Sequence, residues 1–241
     1  MQSSVYVGLS AQIALRMRLE TIAHNVANAS TAGFRADHVR FDTLVARAGG
    51  KSVAFADTGE TFISRAAGGL VKTGNPLDVA VMGQGFLAFQ GPNGPVYTRD
   101  GRMLMTPSGA LVTVDGYPVL DAGGSALLLD AAGGPPVITR DGMVAQGGRQ
   151  VGALGLFEIA ADAKLTRFEN SGVIPDQAAT PVLQFQSDGV VQGMIENANV
   201  NPIEEISRLI AVQRDFEGVT GALNQTEASL SQAIRTLGGA S

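Results

Sequence analysis

Residues 24–35 read HNVANASTAGFR, and they mark the point where an apolar helix pattern stops. Just before this stretch, apolar residues recur at spacings of four, three and four, which is the stripe of an amphipathic helix: Leu15, Leu19, Ile22 and Val26. Amides and hydroxyls then crowd together up to Gly33. The pattern predicts a helix over roughly residues 3–28 that ends in an unusually polar turn.

The end of the chain predicts a second, longer helix. Asn201 suits the N-cap, Pro202 the first helical position and Glu204 the third position of a capping box. An apolar seam then repeats every seven residues and again three residues later, which is typical of a helix that packs along another helix: Leu209, Val212, Phe216, Val219, Leu223, Thr226, Leu230, Ala233 and Leu237, with Ile234 beside them. Gly238 and Gly239 end the pattern, so the helix would cover residues 202–237.

Between these helices the sequence is typical of β-structure. Short strand-like runs alternate with Asn-Gly and Asp-Gly dipeptides, which favour tight hairpins because they accept positive φ. The predicted fold class is therefore α+β, with long terminal helices packing as a coiled-coil-like core domain, an extended connector and a central all-β domain. The predicted boundaries are 1–34 with 196–241 for the helical core, 35–75 for the connector and 76–195 for the β domain.

Composition argues against several classes of function. The chain has 241 residues, a net charge of −5 and no cysteine. Because phosphate neutralisation needs clustered Lys and Arg, and no such cluster occurs, nucleic acid is not expected as a partner. Without cysteine there is no thiolate zinc site and no disulfide framework. No apolar run reaches the roughly 18 residues of a membrane span, and the N-terminus does not read as a cleavable signal.

An enzyme is not expected either. The only two histidines, His24 and His38, have no obvious catalytic partners, and no G-x-S-x-G nucleophile pattern occurs. The sequence predicts no metal and no cofactor. A β-domain binding module or glycan-active enzyme with helical arms is the alternative from another class, but aromatic residues are only 5% and tryptophan is absent.

The length of the final helix indicates assembly. Residues 202–237 would span roughly 54 Å as an α-helix, which is longer than the N-terminal helix can cover. Helices from other subunits are therefore expected to complete the packing.

Three stretches resemble one protein family. HNVANASTAGFR is similar to the N-terminal motif of bacterial flagellar axial proteins, which form the rod, the hook and their junctions. NVNPIEEISRLIAVQRDFE (199–217) is similar to the C-terminal motif of that family, and NPLDVAVMGQGFLAF with YTRDGRM resembles a segment of its rod and hook members. Two departures are that Ala198 stands where the family often has Ser, and that residues 218–236 follow the pattern loosely.

The resemblance implies a structural subunit of the flagellar basal-body rod, with the proximal-rod member of the family favoured and the distal-rod member as the alternative. It implies copies of the chain and other rod proteins as partners, export through the flagellar type III apparatus without cleavage, and a periplasmic location. The expected assembly interface consists of Leu15, Leu19, Ile22, Val26, Leu209, Val212, Phe216, Val219, Leu223, Leu230, Ile234 and Leu237. The expected structural elbow, where the chain leaves the first helix, consists of Asn25, Asn28, Thr31, Gly33 and Phe34.

Overall fold

The computed structural model describes residues 2–41, 43–48, 51–56, 59–185 and 188–238. In these ranges it contains two helices and nineteen strands. The helices are α1 (Gln2–Ala27) and α2 (Pro202–Gly238). The strands are β1 (Asp37–Arg40), β2 (Thr43–Ala48), β3 (Lys51–Ala56), β4 (Glu60–Ile63), β5 (Leu70–Lys72), β6 (Val79–Met82), β7 (Phe86–Gly91), β8 (Gly94–Thr98), β9 (Met103–Met105), β10 (Leu111–Thr113), β11 (Val137–Ile138), β12 (Met143–Gln146), β13 (Arg149–Ala153), β14 (Leu156–Glu158), β15 (Leu165–Phe168), β16 (Gly172–Pro175), β17 (Thr180–Pro181), β18 (Gly189–Gln192) and β19 (Met194–Glu196).

The predicted fold class is wrong in its central feature, because the protein is mostly β and has no coiled-coil core in its described residues. The helices hold 26 and 37 residues, and every other described element is a strand. Helix α1 packs against α2, but also against β1 and β3. A seven-residue repeat indicates an apolar stripe on one helix. It does not predict whether the surface packed against that stripe is helical or β.

The segment predicted as an extended connector contains paired strands. Within its described part, residues 35–75 carry strands β1 to β5. Strand β1 pairs with β4, β2 with β3, and β5 with β19. Pairing satisfies backbone N–H and C=O groups that a bare connector would leave to water.

The chain divides into two compact units. The helical unit comprises the described parts of Met1–Ala27, Asp37–Phe62 and Asn201–Ser241, and the β unit comprises those of Asn28–Ala36 and Ile63–Val200. The predicted domain boundaries differ from these divisions and stay a prediction about which pieces fold independently.

The β unit is built on a six-stranded antiparallel sheet. Its strand order is β15-β16-β8-β7-β14-β17. Strands β7 and β8 form a hairpin around Asn93-Gly94, where Gly94 has a φ of 130° and Leu87 pairs with Thr98 at the far end. Smaller antiparallel pairings in this unit are β18 with β6, β9 with β10, β5 with β19, and β11-β12-β13 in a row.

Two apolar clusters fill the β unit. The first gathers Val79, Val81, Leu87, Met103, Leu111, Val119, Leu127, Leu129, Ile138, Val144, Leu154, Leu156 and Val190. The second gathers Ile63, Phe86, Ala88, Tyr97, Leu120, Phe157, Ile159, Ala163 and Val173. Neighbouring residues of β7 enter different clusters, since alternate side chains of a strand point to opposite faces of its sheet. The sheet is therefore covered by apolar packing on both faces.

Candidate assembly interface

Helices α1 and α2 run antiparallel within the helical unit. Gly8 lies against Leu223, and a methyl group on Gly8 would come 2.5 Å from a Leu223 methyl. One turn further along α1, Gln12 Nε2 donates to Thr220 Oγ1 at 2.9 Å. At the other end, Asn25 Nδ2 lies 3.4 Å from Glu205 Oε2. The absence of a side chain at Gly8 allows the close approach of the two helices.

The residues expected to form the assembly interface lie mostly on the facing sides of these two helices. Ile22 is buried, and the others whose side chains the structure describes are half-buried: Leu15, Leu19, Val26, Leu209, Val212, Phe216, Val219 and Leu223. The side chains of Leu230, Ile234 and Leu237 lie outside the described residues. The apolar stripes of α1 and α2 therefore cover each other in part within one chain, and their role between subunits stays a prediction.

A buried amide ties the end of α1 to the first strand of the helical unit. Asn25 Nδ2 donates to the carbonyl of Asp37 and the backbone N–H of Asp37 donates to Asn25 Oδ1, both at 2.8 Å. The Asp37 carboxylate also pairs with His24 Nδ1 at 2.8 Å. Asn25 thus occupies both backbone groups of Asp37, which is how a nearly fully buried amide avoids an unsatisfied polar group.

The other elbow residues lie in the β unit, where they form a tight turn. The Thr31 N–H donates to the Asn28 carbonyl at 3.0 Å, and Thr31 Oγ1 donates to Asn28 Oδ1 at 3.2 Å. Gly33 has a φ of 67°, and a methyl group there would come 2.1 Å from the backbone nitrogen of Asp100. Only glycine meets both conditions. Asn28 does not have a positive φ.

Phe34 is the apolar anchor of this turn. Its side chain is fully buried, and the Arg167 guanidinium lies 4.5 Å from its ring centroid. Arg167 Nη2 also donates to the Arg35 carbonyl. A cation over a buried aromatic face contributes on the order of 2 kcal/mol, so Arg167 fixes both the ring and the backbone that follows it.

A buried ionic cluster closes the β unit, and sequence reasoning missed it. The Glu196 carboxylate lies 2.8 Å from the Arg35 guanidinium and 3.3 Å from that of Arg99, and all three side chains are 3% exposed or less. Glu196 Oε1 also accepts from the Gly68 N–H at 2.7 Å. Arg99 donates in addition to the Val81 and Gly83 carbonyls. One carboxylate therefore serves two buried cations.

Burial changes the pKa values of the two arginines in this cluster. Burial lowers the pKa of Arg99 to about 10, which the Glu196 carboxylate partly offsets. Burial also lowers the pKa of Arg35, again opposed by Glu196. The Arg99 guanidinium therefore stays charged at neutral pH, and the Glu196 carboxylate lies within ion-pair distance of both guanidinium groups.

A short repeat in the sequence includes one residue of this cluster but does not identify the cluster. Thr98-Arg99-Asp100-Gly101 recurs as Thr139-Arg140-Asp141-Gly142. In the structure Arg99 is buried but Arg140 is exposed. The two copies of this four-residue sequence therefore place their arginines in different environments, which only the tertiary structure distinguishes.

Asn201 caps the start of α2 as its residue type suggests, whereas the Glu204 side chain bonds to Arg208 in place of the expected capping box. Asn201 Oδ1 accepts from the N–H groups of Ile203 and Glu204 at 3.2 and 3.4 Å, and Pro202 is the first helical residue. The Glu204 carboxylate pairs with Arg208 one turn along. Acidic groups at this position also complement the helix dipole.

The described residues contain no group of His and carboxylate side chains arranged to hold a metal ion. Neither described helix is long and apolar enough to cross a membrane. The two histidines lie in unrelated contacts, since His24 pairs with Asp37 and the His38 ring lies 5.5 Å from that of Phe62.

Comparison with known proteins gives three family matches in chain order. Residues 5–35 match the flagella basal body rod protein family, residues 80–193 the flagellar hook protein FlgE/F/G D1 domain, and residues 191–236 the flagellar basal body rod FlgEFG protein C-terminal family. These ranges include the elbow, all three members of the ionic cluster and most of α2.

Full-length relatives agree with these matches. The chain is 47% identical over 238 residues to the flagellar basal-body rod protein FlgF of Mesorhizobium japonicum, covering 99% of each chain. It is 43% identical over 239 residues to that of Rhizobium meliloti and 38% identical over 251 residues to that of Caulobacter vibrioides, again covering 99% of each chain.

Proposed function

This chain belongs to the flagellar basal-body rod protein FlgF family and is a structural subunit of the bacterial flagellar rod, and from that membership we propose that it occupies the proximal part of the rod and carries out no catalysis. Its location is the flagellar basal body, where it assembles with other rod and hook proteins. The single observation that carries the proposal is similarity over 99% of the chain to proteins of that one name.

The helical unit is the part of the chain that we propose for subunit contact. Both chain ends belong to it, and each end contributes one helix. Its side chains include the expected interface residues, and those that the structure describes are buried or half-buried on α1 and α2. The turn with Asn28, Thr31, Gly33 and Phe34 then sets the path of the chain into the β unit, which is the role proposed for the elbow.

Position in the rod is tested with a tagged copy. Cells would carry, as their only copy, the full chain with a small epitope inserted after Gly123, an exposed position in a surface turn. Immunogold labelling of purified basal bodies should mark the cell-proximal half of the rod. Labelling confined to the distal half would contradict the proximal assignment and leave the rod function intact.

Export is tested on the same material. We propose passage through the flagellar type III apparatus into the periplasm without cleavage of an N-terminal signal. N-terminal sequencing of the protein recovered from basal bodies should then begin at Met1 or Gln2. A start well inside α1 would contradict export without cleavage.

A β-domain binding activity is the rival explanation, and matched variants separate the two. Gln84→Ala changes an exposed side chain of the β unit, so it should leave incorporation into the rod and motility unchanged. Leu223→Asp should abolish both. The reverse pattern would favour a function of the β-unit surface.

A further inference from the structure

A two-residue turn closes the β7–β8 hairpin in the middle of the six-stranded sheet. Pro92 and Asn93 form the turn, and Gly91 and Gly94 face each other as the last pair of the ladder. Asn93 is exposed, and within the described part of the chain its amide has no hydrogen-bond partner. Asn93-Gly94 is also the only asparagine–glycine pair in the sequence.

Gly94 leaves the backbone nitrogen that follows Asn93 accessible. A methyl group on Gly94 would meet nothing within 4 Å, so no side chain covers the peptide bond between the two residues. The ladder pair that must open to free this nitrogen is Gly91 with Gly94, and the end pair of a hairpin opens at little cost in free energy. The Asn93 side chain and the Gly94 nitrogen can therefore meet without unfolding of the sheet.

Asn75 is the opposite case in the same part of the chain. Its Nδ2 donates to Asp78 Oδ1 at 2.9 Å, and its Oδ1 accepts from the Leu77 N–H at 3.2 Å. The residue that follows it is Pro76, whose nitrogen carries no hydrogen. The Asn75 amide is therefore held in place and has no N–H group beside it that could react.

We propose that Asn93 is a site of spontaneous modification, at which the side-chain amide is converted to a carboxylate. The Gly94 nitrogen attacks Cγ of Asn93, so the N–Cγ bond forms and the Cγ–Nδ2 bond breaks. Nδ2 leaves as ammonia with the proton of the Gly94 nitrogen, and a five-membered succinimide remains. Water then opens this ring. The balance is one water consumed and one ammonia released, with no oxidation or reduction.

The two products of ring opening change the turn in different ways. Cleavage at Cγ gives aspartate, which keeps the backbone and adds one negative charge at the tip of the hairpin. Cleavage at the backbone carbonyl gives isoaspartate, whose main chain runs through Cγ and is one methylene longer. Because hairpin register depends on loop length, Gly91 and Gly94 can no longer pair as they do now. We expect isoaspartate to lower the Tm of the β unit and aspartate to leave it unchanged.

The reaction is tested by mass spectrometry of the full chain. Purified protein would be incubated at neutral pH and growth temperature for weeks and then digested with trypsin, which cuts after Lys72 and Arg99 and leaves both asparagines in one peptide. We expect acid to accumulate at Asn93, as aspartate and isoaspartate, while Asn75 remains an amide. Protein from basal bodies, isolated at increasing times after an isotope pulse, should show the same increase.

Two variants separate the chemistry from its effect on the fold. Asn93→Gln lengthens the side chain by one methylene, so the five-membered ring cannot form and the amide should persist. Asn93→Asp supplies the charge alone and should keep the Tm of the unmodified protein, whereas the aged fraction that contains isoaspartate should melt at a lower temperature.

The isolated tryptic peptide shows whether the folded turn permits the reaction. Acid at Asn93 in the peptide but not in the full chain would overturn the proposal, because the hairpin would then protect the amide. Equal amounts of acid at Asn93 and Asn75, or an equal rate in Asn93→Gln, would overturn it too. Rod assembly is scored separately, so a negative result here leaves the proposed function standing.

Discussion

The Glu196 carboxylate and the Arg35 guanidinium approach to 2.8 Å in the interior of the β unit, although they come from opposite ends of its sequence. The same carboxylate holds Arg99. Around this cluster the entering and leaving segments are joined directly, since the Gly33 N–H donates to the Glu196 carbonyl at 2.7 Å. The contacts that join the two ends of the β unit therefore form only when residue 196 is in place.

We predict that Glu196→Gln destabilises the β unit by about 3–5 kcal/mol, because it leaves two buried guanidinium groups without a counter-ion. The free energy of unfolding is measured by urea titration of the full chain, followed by the β-type circular dichroism signal. Glu158→Gln is the matched control, since Glu158 is exposed on β14, and it should change stability by less than about 0.5 kcal/mol. Equal effects of the two variants would show that the buried cluster contributes little.

We predict that a β fragment folds stably on its own only if it contains all three residues of the ionic cluster. A fragment of residues 28–200 contains Arg35, Arg99 and Glu196, whereas a fragment of residues 35–195 lacks the carboxylate and the turn before Arg35. We expect the longer fragment to be a monomer with a cooperative melt and a clearly higher Tm than the shorter one. A shorter fragment with equal Tm would contradict the role assigned to Glu196.

Gly33→Ala should lower the stability of the β unit for two reasons. Its φ of 67° disfavours any residue with a Cβ, and the added methyl would meet backbone atoms of Arg99 and Asp100. Gly74→Ala separates these effects, because Gly74 has a φ of 76° with nothing within 4 Å of the added methyl. We expect about 1 kcal/mol for Gly74→Ala, the conformational part alone, and a markedly larger loss for Gly33→Ala. Similar losses would mean that the backbone around Asp100 relaxes freely.

Leu223→Asp should prevent incorporation into the rod and abolish motility while leaving the β unit folded. The new carboxylate would lie in the half-buried contact with Gly8, and burying an unpaired charge costs several kcal/mol even after relaxation. Ala222→Asp introduces the same charge at the exposed neighbouring position and should assemble. Basal-body purification and motility plates compare the two, and a motile Leu223→Asp strain with normal incorporation would refute the role of this contact.

Local sequence rules were sufficient for the helices and several turns. The spacing of Leu15, Leu19, Ile22 and Val26 predicted a helix that is present as α1, and the Asn201-Pro202 start of α2 follows from capping chemistry that acts within one turn. The need for glycine at residue 33 could also be expected, since a turn after a helix often requires positive φ. The family resemblance rested on these same local motifs, which the comparisons with known proteins confirmed.

Tertiary structure decided what those elements contact. The predicted coiled-coil-like core was wrong because an apolar stripe does not specify its partner, and α1 packs on β1 and β3 as well as on α2. Strand β5 escaped prediction because its partner, β19, is remote in the sequence. The sequence by itself determined where helices begin and end, because helical hydrogen bonds and caps join residues within a few positions of each other. The tertiary structure alone decided that Arg35, Arg99 and Glu196 meet, because the stability of a buried charge depends on neighbours that only the folded chain brings together.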